Sequence, residues 1–195
     1  VSGFILKWVR DGIITIREKE SGAIVKKKNY DMYLDVDAKL ENKQETALYK
    51  MFILASKDGV LQTKAFQKWC SKHYKKIDDW FTKVDNVTED SMNKNGYAKT
   101  KTIYKRFLFW NIPRDRTVWT DKAYDQCLYV WGFNNFLEDE DNMKEKAAIE
   151  VKLWDEYLIF AAVLGIADRV EKQLKVAIPR YEETSTYNNF PIYYY

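Results

Sequence analysis

Eleven consecutive residues without a charge, Tyr157 to Ala167, form the centre of "KLWDEYLIFAAVLGIADRVEKQL" (152–174). A helix that crosses a bilayer needs roughly 20 apolar residues. Here Asp155 and Glu156 close the run on one side, Asp168 and Arg169 on the other. The stretch is too short to span a membrane. It predicts a helix buried on most of its circumference, around which a core has to form.

The chain has 195 residues, enough for one large domain or two small ones. Nearly half are apolar and only ten are Gly or Pro, which excludes a disordered or fibrous chain. Seven Trp, fourteen Tyr and ten Phe supply large areas to bury. A net charge of +3 does not by itself imply a nucleic-acid partner. Cys70 and Cys127 lie among apolar residues of predicted helices and read as two buried free thiols in a reducing compartment. With a single histidine they make a poor metal ligand set. The chain opens at Val1 on an apolar helical segment with no basic leader, and reads as a piece of a longer protein.

"GFILKWVR" (3–10) reads as an apolar helix ending at Asp11-Gly12. "IITIREKESGAIVKKK" (13–28) reads as a β-hairpin turning at Ser21-Gly22, and "YDMYLDVD" (30–37) as a separate half-buried strand. Asn42, with Glu45 three residues on, caps a helix that carries Leu48, Phe52 and Ala55 and stops at Gly59. One helix is predicted from Thr63 to about Val84, apolar along Phe66, Trp69, Cys70, Ile77, Trp80 and Phe81. The polar stretch 85–101 reads as a domain boundary. Residues 103–119 are aromatic and ambiguous, with Pro113 excluding a continuous helix. A helix from Asp121 ends near Gly132, a long one runs from about Met143 to Leu164, and a last one covers "ADRVEKQLKVA" (167–177). The expected organisation is a winged-helix-like unit over 1–95, a helical unit over 96–178 and a poorly ordered tail over 179–195. The fold class is α+β, mainly α-helical.

Few side chains offer chemistry. The helix before the wing presents only Lys7 and Arg10 among apolar residues, whereas a recognition helix needs several polar side chains to reach bases and phosphates. Lys64, Lys68, Lys72, Lys75 and Lys76 line one helix side beside His73. Such a row is a solubility face or a contact for an anionic membrane surface, and Lys26, Lys27 and Lys28 extend it if the fold brings them near. His73 lacks a nucleophile or carboxylate at motif spacing. Glu138, Asp139, Glu140 and Asp141 lack the spacing and glycine of a calcium loop. Asp35-x-Asp37 is a weak signal, and no phosphate loop occurs. No catalytic, metal or cofactor residue is assigned.

The apolar helix carries a resemblance. Trp154, Tyr157, Leu158, Gly165, Ile166 and Ala167, with Gly132, Phe133, Phe136 and Leu137 upstream, are similar to the carboxy-terminal signature of a family of predicted bacterial membrane proteins, domain of unknown function 2207. "LKWVRDGIITIRE" resembles its helix-Gly-strand segment, so the likeness extends over most of 1–180. The resemblance implies an extracytoplasmic domain and membrane helices elsewhere, with this region on the cytoplasmic side. It carries no catalytic residues.

The function expected is non-enzymatic: a cytoplasmic interaction or regulatory module next to the bilayer, with a protein partner. No specific nucleic acid is expected, and oligomeric state is not legible. Nucleic-acid binding through the lysines, or an enzyme with a dispersed acid/base site, are the alternatives. Trp154, Tyr157 and Leu158, with the small residues around Gly165, should bury against the 121–137 helix.

Overall fold

The computed structural model describes residues 1–21, 27–107, 109–139 and 151–177. Among them are helices α1 (Ser2–Arg10), α2 (Lys43–Ala55), α3 (Thr63–Lys72), α4 (Tyr74–Lys94), α5 (Asp121–Glu138), α6 (Val151–Leu164) and α7 (Ala167–Ala177). The strands are β1 (Ile14–Ser21), β2 (Lys27–Leu34), β3 (Val60–Gln62), β4 (Ala98–Phe107) and β5 (Trp110–Trp119). The fold is α+β and mainly helical, as the sequence predicts. Helix 143–164 is described from Val151 on. The turn at Gly22, Glu140 and Asp141, and the 179–195 tail lie outside the described residues.

The chain forms two compact units, one made of 1–77 with 134–195 and the other of 78–133. The division therefore does not fall at 95/96. Residues 85–94, read from sequence as a polar boundary, are the last turns of α4, and 98–101 already belong to β4. Most of 85–94 is Asp, Asn, Val, Thr and Ser, weak helix formers, so propensity alone would not extend α4. Glu89, which accepts from Thr117, ties this part of the helix to its own unit.

In the first unit β1, β2 and β3 form an antiparallel sheet in that order. Ile14 pairs with Leu34 and Ser21 with Lys27, so "KKNYDMYL" (27–34) is one continuous second arm. The separate 30–37 strand is corrected by this register. Alternation places Ile14, Met32, Leu34 and Leu61 on one buried side of the sheet. Beyond Leu34 the chain turns, with the Asp37 amide donating to Asp35 Oδ1 at 3.0 Å. The D-x-D pair is thus a turn device.

Asn42 caps α2 as expected, its Oδ1 accepting from the Gln44 and Glu45 amides. Glu45 does not complete a reciprocal capping box. Its carboxylate, 3% exposed, accepts from Lys7 Nζ at 2.8 and 2.9 Å and from Trp8 Nε1 at 2.9 Å. Trp8 is fully buried and meets Tyr49 and Phe52 edge to face, at 4.9 and 5.3 Å between centroids. The Tyr49 hydroxyl shares its proton between the carbonyls of Asp35 and Ile13. Burial, then the Asp35 charge, pushes its pKa up to about 12, so the phenol remains a donor at neutral pH.

The 63–84 helix is broken at His73, which ends α3. His73 stacks on Trp69 with 4.4 Å between centroids, and its Nδ1 donates to the Trp69 carbonyl at 2.9 Å. The side chain closes the corner between two helices.

Candidate interaction surfaces

The break at His73 divides the lysine row. Lys64, Lys68 and Lys72 follow one another at four-residue spacing along α3, all exposed. Lys75 and Lys76 are also exposed but begin the next helix, α4. The side chains of Lys27 and Lys28, and Lys26 altogether, lie outside the described residues. On α1, Ile5, Leu6, Trp8 and Val9 are buried. Its two cations are engaged as well: Lys7 by Glu45, and Arg10 by Asp11 at 2.9 Å and Glu156 at 3.5 Å.

In the second unit β4 and β5 form a two-stranded ribbon from Ala98↔Trp119 to Phe107↔Trp110. Sequence reasoning left this segment ambiguous. Pro113 is accommodated because each strand of a lone pair is an edge. Directly opposed residues point to the same side of a ribbon, and successive residues to opposite sides. One side thus collects the pairs Lys99↔Val118, Lys101↔Arg116, Ile103↔Arg114 and Lys105↔Ile112. It carries five cations interleaved with aliphatic side chains, and no acid. The other side carries Ala98↔Trp119, Thr100↔Thr117, Thr102↔Asp115, Tyr104↔Pro113 and Arg106↔Asn111, with a single cation, Arg106. That side is turned toward the rest of the unit at its base, where Thr117 Oγ1 donates to Glu89 of α4 at 3.1 Å. The ribbon ends in Phe109 and Trp110, 92% and 76% exposed. The signal was in the sequence: "KTKTIYK" and "IPRDRTV" each place a cation or an aliphatic residue at every second position.

Helix α5 starts at Thr120, whose hydroxyl donates to the Gly96 carbonyl at 2.8 Å, and Lys122 Nζ lies 2.9 Å from the Asn95 carbonyl. It passes through Gly132 and ends at Glu138, six residues beyond the expected stop. From Gln126 to Leu137 it carries no charge, yet Leu128, Tyr129 and Trp131 are each about two-thirds exposed. A cleft of about 530 Å³ lies beside it, lined by Met92, Tyr97, Trp119, Ala123, Cys127 and Val130 among others.

Cys127 is exposed and Cys70 half-buried, which corrects the expectation of two buried thiols. Both are unbonded, and burial pushes the Cys70 thiol up from its ordinary range. A maleimide should therefore label Cys127 well before Cys70 in the folded protein. Peptide mapping after a short pulse checks this, and faster labelling of Cys70 would contradict the placement of α5.

The signature residues of the last helices come together in the first unit. Trp154 and Leu158 are buried, with Tyr157 half-buried at 5.4 Å from the Trp154 ring. Their helix packs chiefly on α1, not on the 121–137 helix as expected. At Gly3 of α1 an added Cβ would sit 2.8 Å from Val163 Cγ2, so the missing side chain permits the close approach. The last turn of α5 meets these helices: Phe136 lies 6.0 Å from Tyr157, and Glu138 binds Arg169 at 2.9 Å. Gly165, at φ +79°, ends α6 in the left-handed conformation, and the Ile166 amide closes back on the Ala161 carbonyl at 2.9 Å.

Residues 106–174 match the family model described as predicted membrane protein (DUF2207) C-terminal domain. The match bears out the resemblance read from Trp154, Tyr157, Leu158 and Gly165, all of which it includes. The matched stretch begins at Arg106 near the ribbon tip and runs through α5 and α6 into α7. No curated protein and no solved structure gives a significant match. Among the described residues no helix is long and apolar enough to cross a membrane.

Proposed function

We propose that this chain is a non-enzymatic docking module of a membrane protein, working on the cytoplasmic side beside the bilayer. The observation that carries the reading is α5. A helix that is apolar on several sides is normally buried, and this one leaves Leu128, Tyr129 and Trp131 in water. Exposed apolar surface of this kind marks interaction sites. The description of the DUF2207 match as a predicted membrane protein supports the membrane association. The α1–β1–β2 arrangement, winged-helix-like in order, is read here as a protein-contact scaffold, because the side chains of α1 are spent on the core.

Topology reporters test the location. A fluorescent protein fused to this region in the intact membrane protein should fluoresce, and an alkaline phosphatase fused at the same place should be inactive. Active phosphatase would place the region on the opposite side and overturn the reading.

A further inference from the structure

The geometry points to the β4–β5 ribbon as a membrane finger: its cationic side binds anionic phospholipid headgroups while Phe109 and Trp110 enter the interfacial layer. The inference rests on the proposed location beside a bilayer, and it names the element that makes the contact. Three features of the ribbon converge on it. Lys101 and Arg116 stand directly opposite each other, with Arg114 on the same side. Like charges placed so are mutually destabilising, and a surface of phosphates relieves that repulsion. The cationic side contains no carboxylate, since the ribbon's single acid, Asp115, points to the other side, where Thr102 donates to it at 2.7 Å. Finally, the exposed rings are at the tip, beyond the cations.

A duplex bound through its phosphates would use the cations but leave the tip rings and the interleaved Ile103 and Ile112 in water. A bilayer interface accommodates both: phosphates meet the lysines and arginines, and aromatic rings settle at headgroup level. The lysines of α3 have no such apolar tip, so the inference assigns the contact to the ribbon.

The test is cosedimentation of the full chain with vesicles of phosphatidylcholine alone and of phosphatidylcholine with phosphatidylglycerol, at low and physiological salt. The wild type should bind the anionic vesicles only. Each cation near such a surface contributes about fivefold in affinity, so Lys101→Ser with Arg116→Ser should weaken binding roughly thirtyfold. Phe109→Ser with Trp110→Ser should weaken it at both salt concentrations, and Lys68→Ser with Lys72→Ser should leave it unchanged. All these positions are exposed, and unchanged circular dichroism confirms folding. Binding that survives both ribbon variants but fails in the α3 variant would overturn the ribbon assignment while leaving the bilayer reading standing. Loss of binding by the wild type itself would overturn the finger, with the topology reporters deciding the location independently. Tighter, ribbon-dependent binding of duplex DNA than of vesicles would overturn it in favour of a nucleic acid.

Discussion

Trp154→Ala lowers stability by about 3–5 kcal/mol, the range for truncating a fully buried large aromatic residue. The side chain is 1% exposed and holds Tyr157 edge to face at 5.4 Å. Alanine leaves a cavity at the start of α6, the helix that packs on α1, and the loss should appear as a lower urea midpoint. The indole makes a finer prediction possible. Trp154 Nε1 is buried without a hydrogen-bond partner among the described residues. Trp154→Phe therefore removes no hydrogen bond, leaves a smaller cavity, and should cost clearly less than Trp154→Ala. A phenylalanine variant as unstable as the alanine one would mean that the indole nitrogen is bonded in the folded protein.

Glu45→Ala is expected to destabilise by about 2–3 kcal/mol, for a different reason. The carboxylate is buried and satisfies Lys7 and Trp8 at once. Its removal leaves the buried Trp8 Nε1 without an acceptor, a penalty of about 1–3 kcal/mol. The Lys7 head, 38% exposed, is hydrated on losing its partner and adds little. Glu45→Gln keeps an acceptor for the indole and should recover most of the stability. Equal losses in the two variants would show that the charge, not the acceptor, holds α1 to α2.

These two sites differ in how far the sequence announced them. Leu158 was legible as core because it lies in an apolar run too short to cross a membrane, and Trp154 because it stands four residues earlier on the same helix face. Gly165 was legible as a helix end, and Asn42 as a cap, since both act within a few residues of chain. The partner of the α6 face was not legible. Periodicity says which side of a helix is buried but not against what, and the face met α1, about 150 residues away, where Gly3 permits contact. Glu45 looked like half of a capping box because three-residue spacing suits one. A tertiary competitor, the Lys7 ammonium and the Trp8 indole of α1, offered the carboxylate more.

The ribbon was missed for a physical reason of another kind. Strand recognition relies on one apolar and one polar side, and here both sides are exposed over 99–106 and 110–119. Its alternation sets cations mixed with aliphatic residues against a side of threonines, Tyr104, Asp115 and Arg106, so hydrophobic periodicity is blind to it. The lysine row of α3, by contrast, was visible at once, although nothing beside it distinguishes a docking site from a solvated helix. The basic residues that can be argued to touch a surface are those that a strand register aligns beneath two exposed rings.

The membrane contact is decided by where the ribbon tip goes when an anionic bilayer is present. The most direct measurement attaches an environment-sensitive dye through Phe109→Cys, in a chain in which Cys70 and Cys127 are replaced by Ser. Addition of phosphatidylglycerol-containing vesicles should brighten the dye and shift its emission to the blue, and quenchers fixed just below the headgroups should extinguish it. A dye that keeps its aqueous spectrum while the chain cosediments with those vesicles would contradict the account, because the tip would then be in water while the protein is bound.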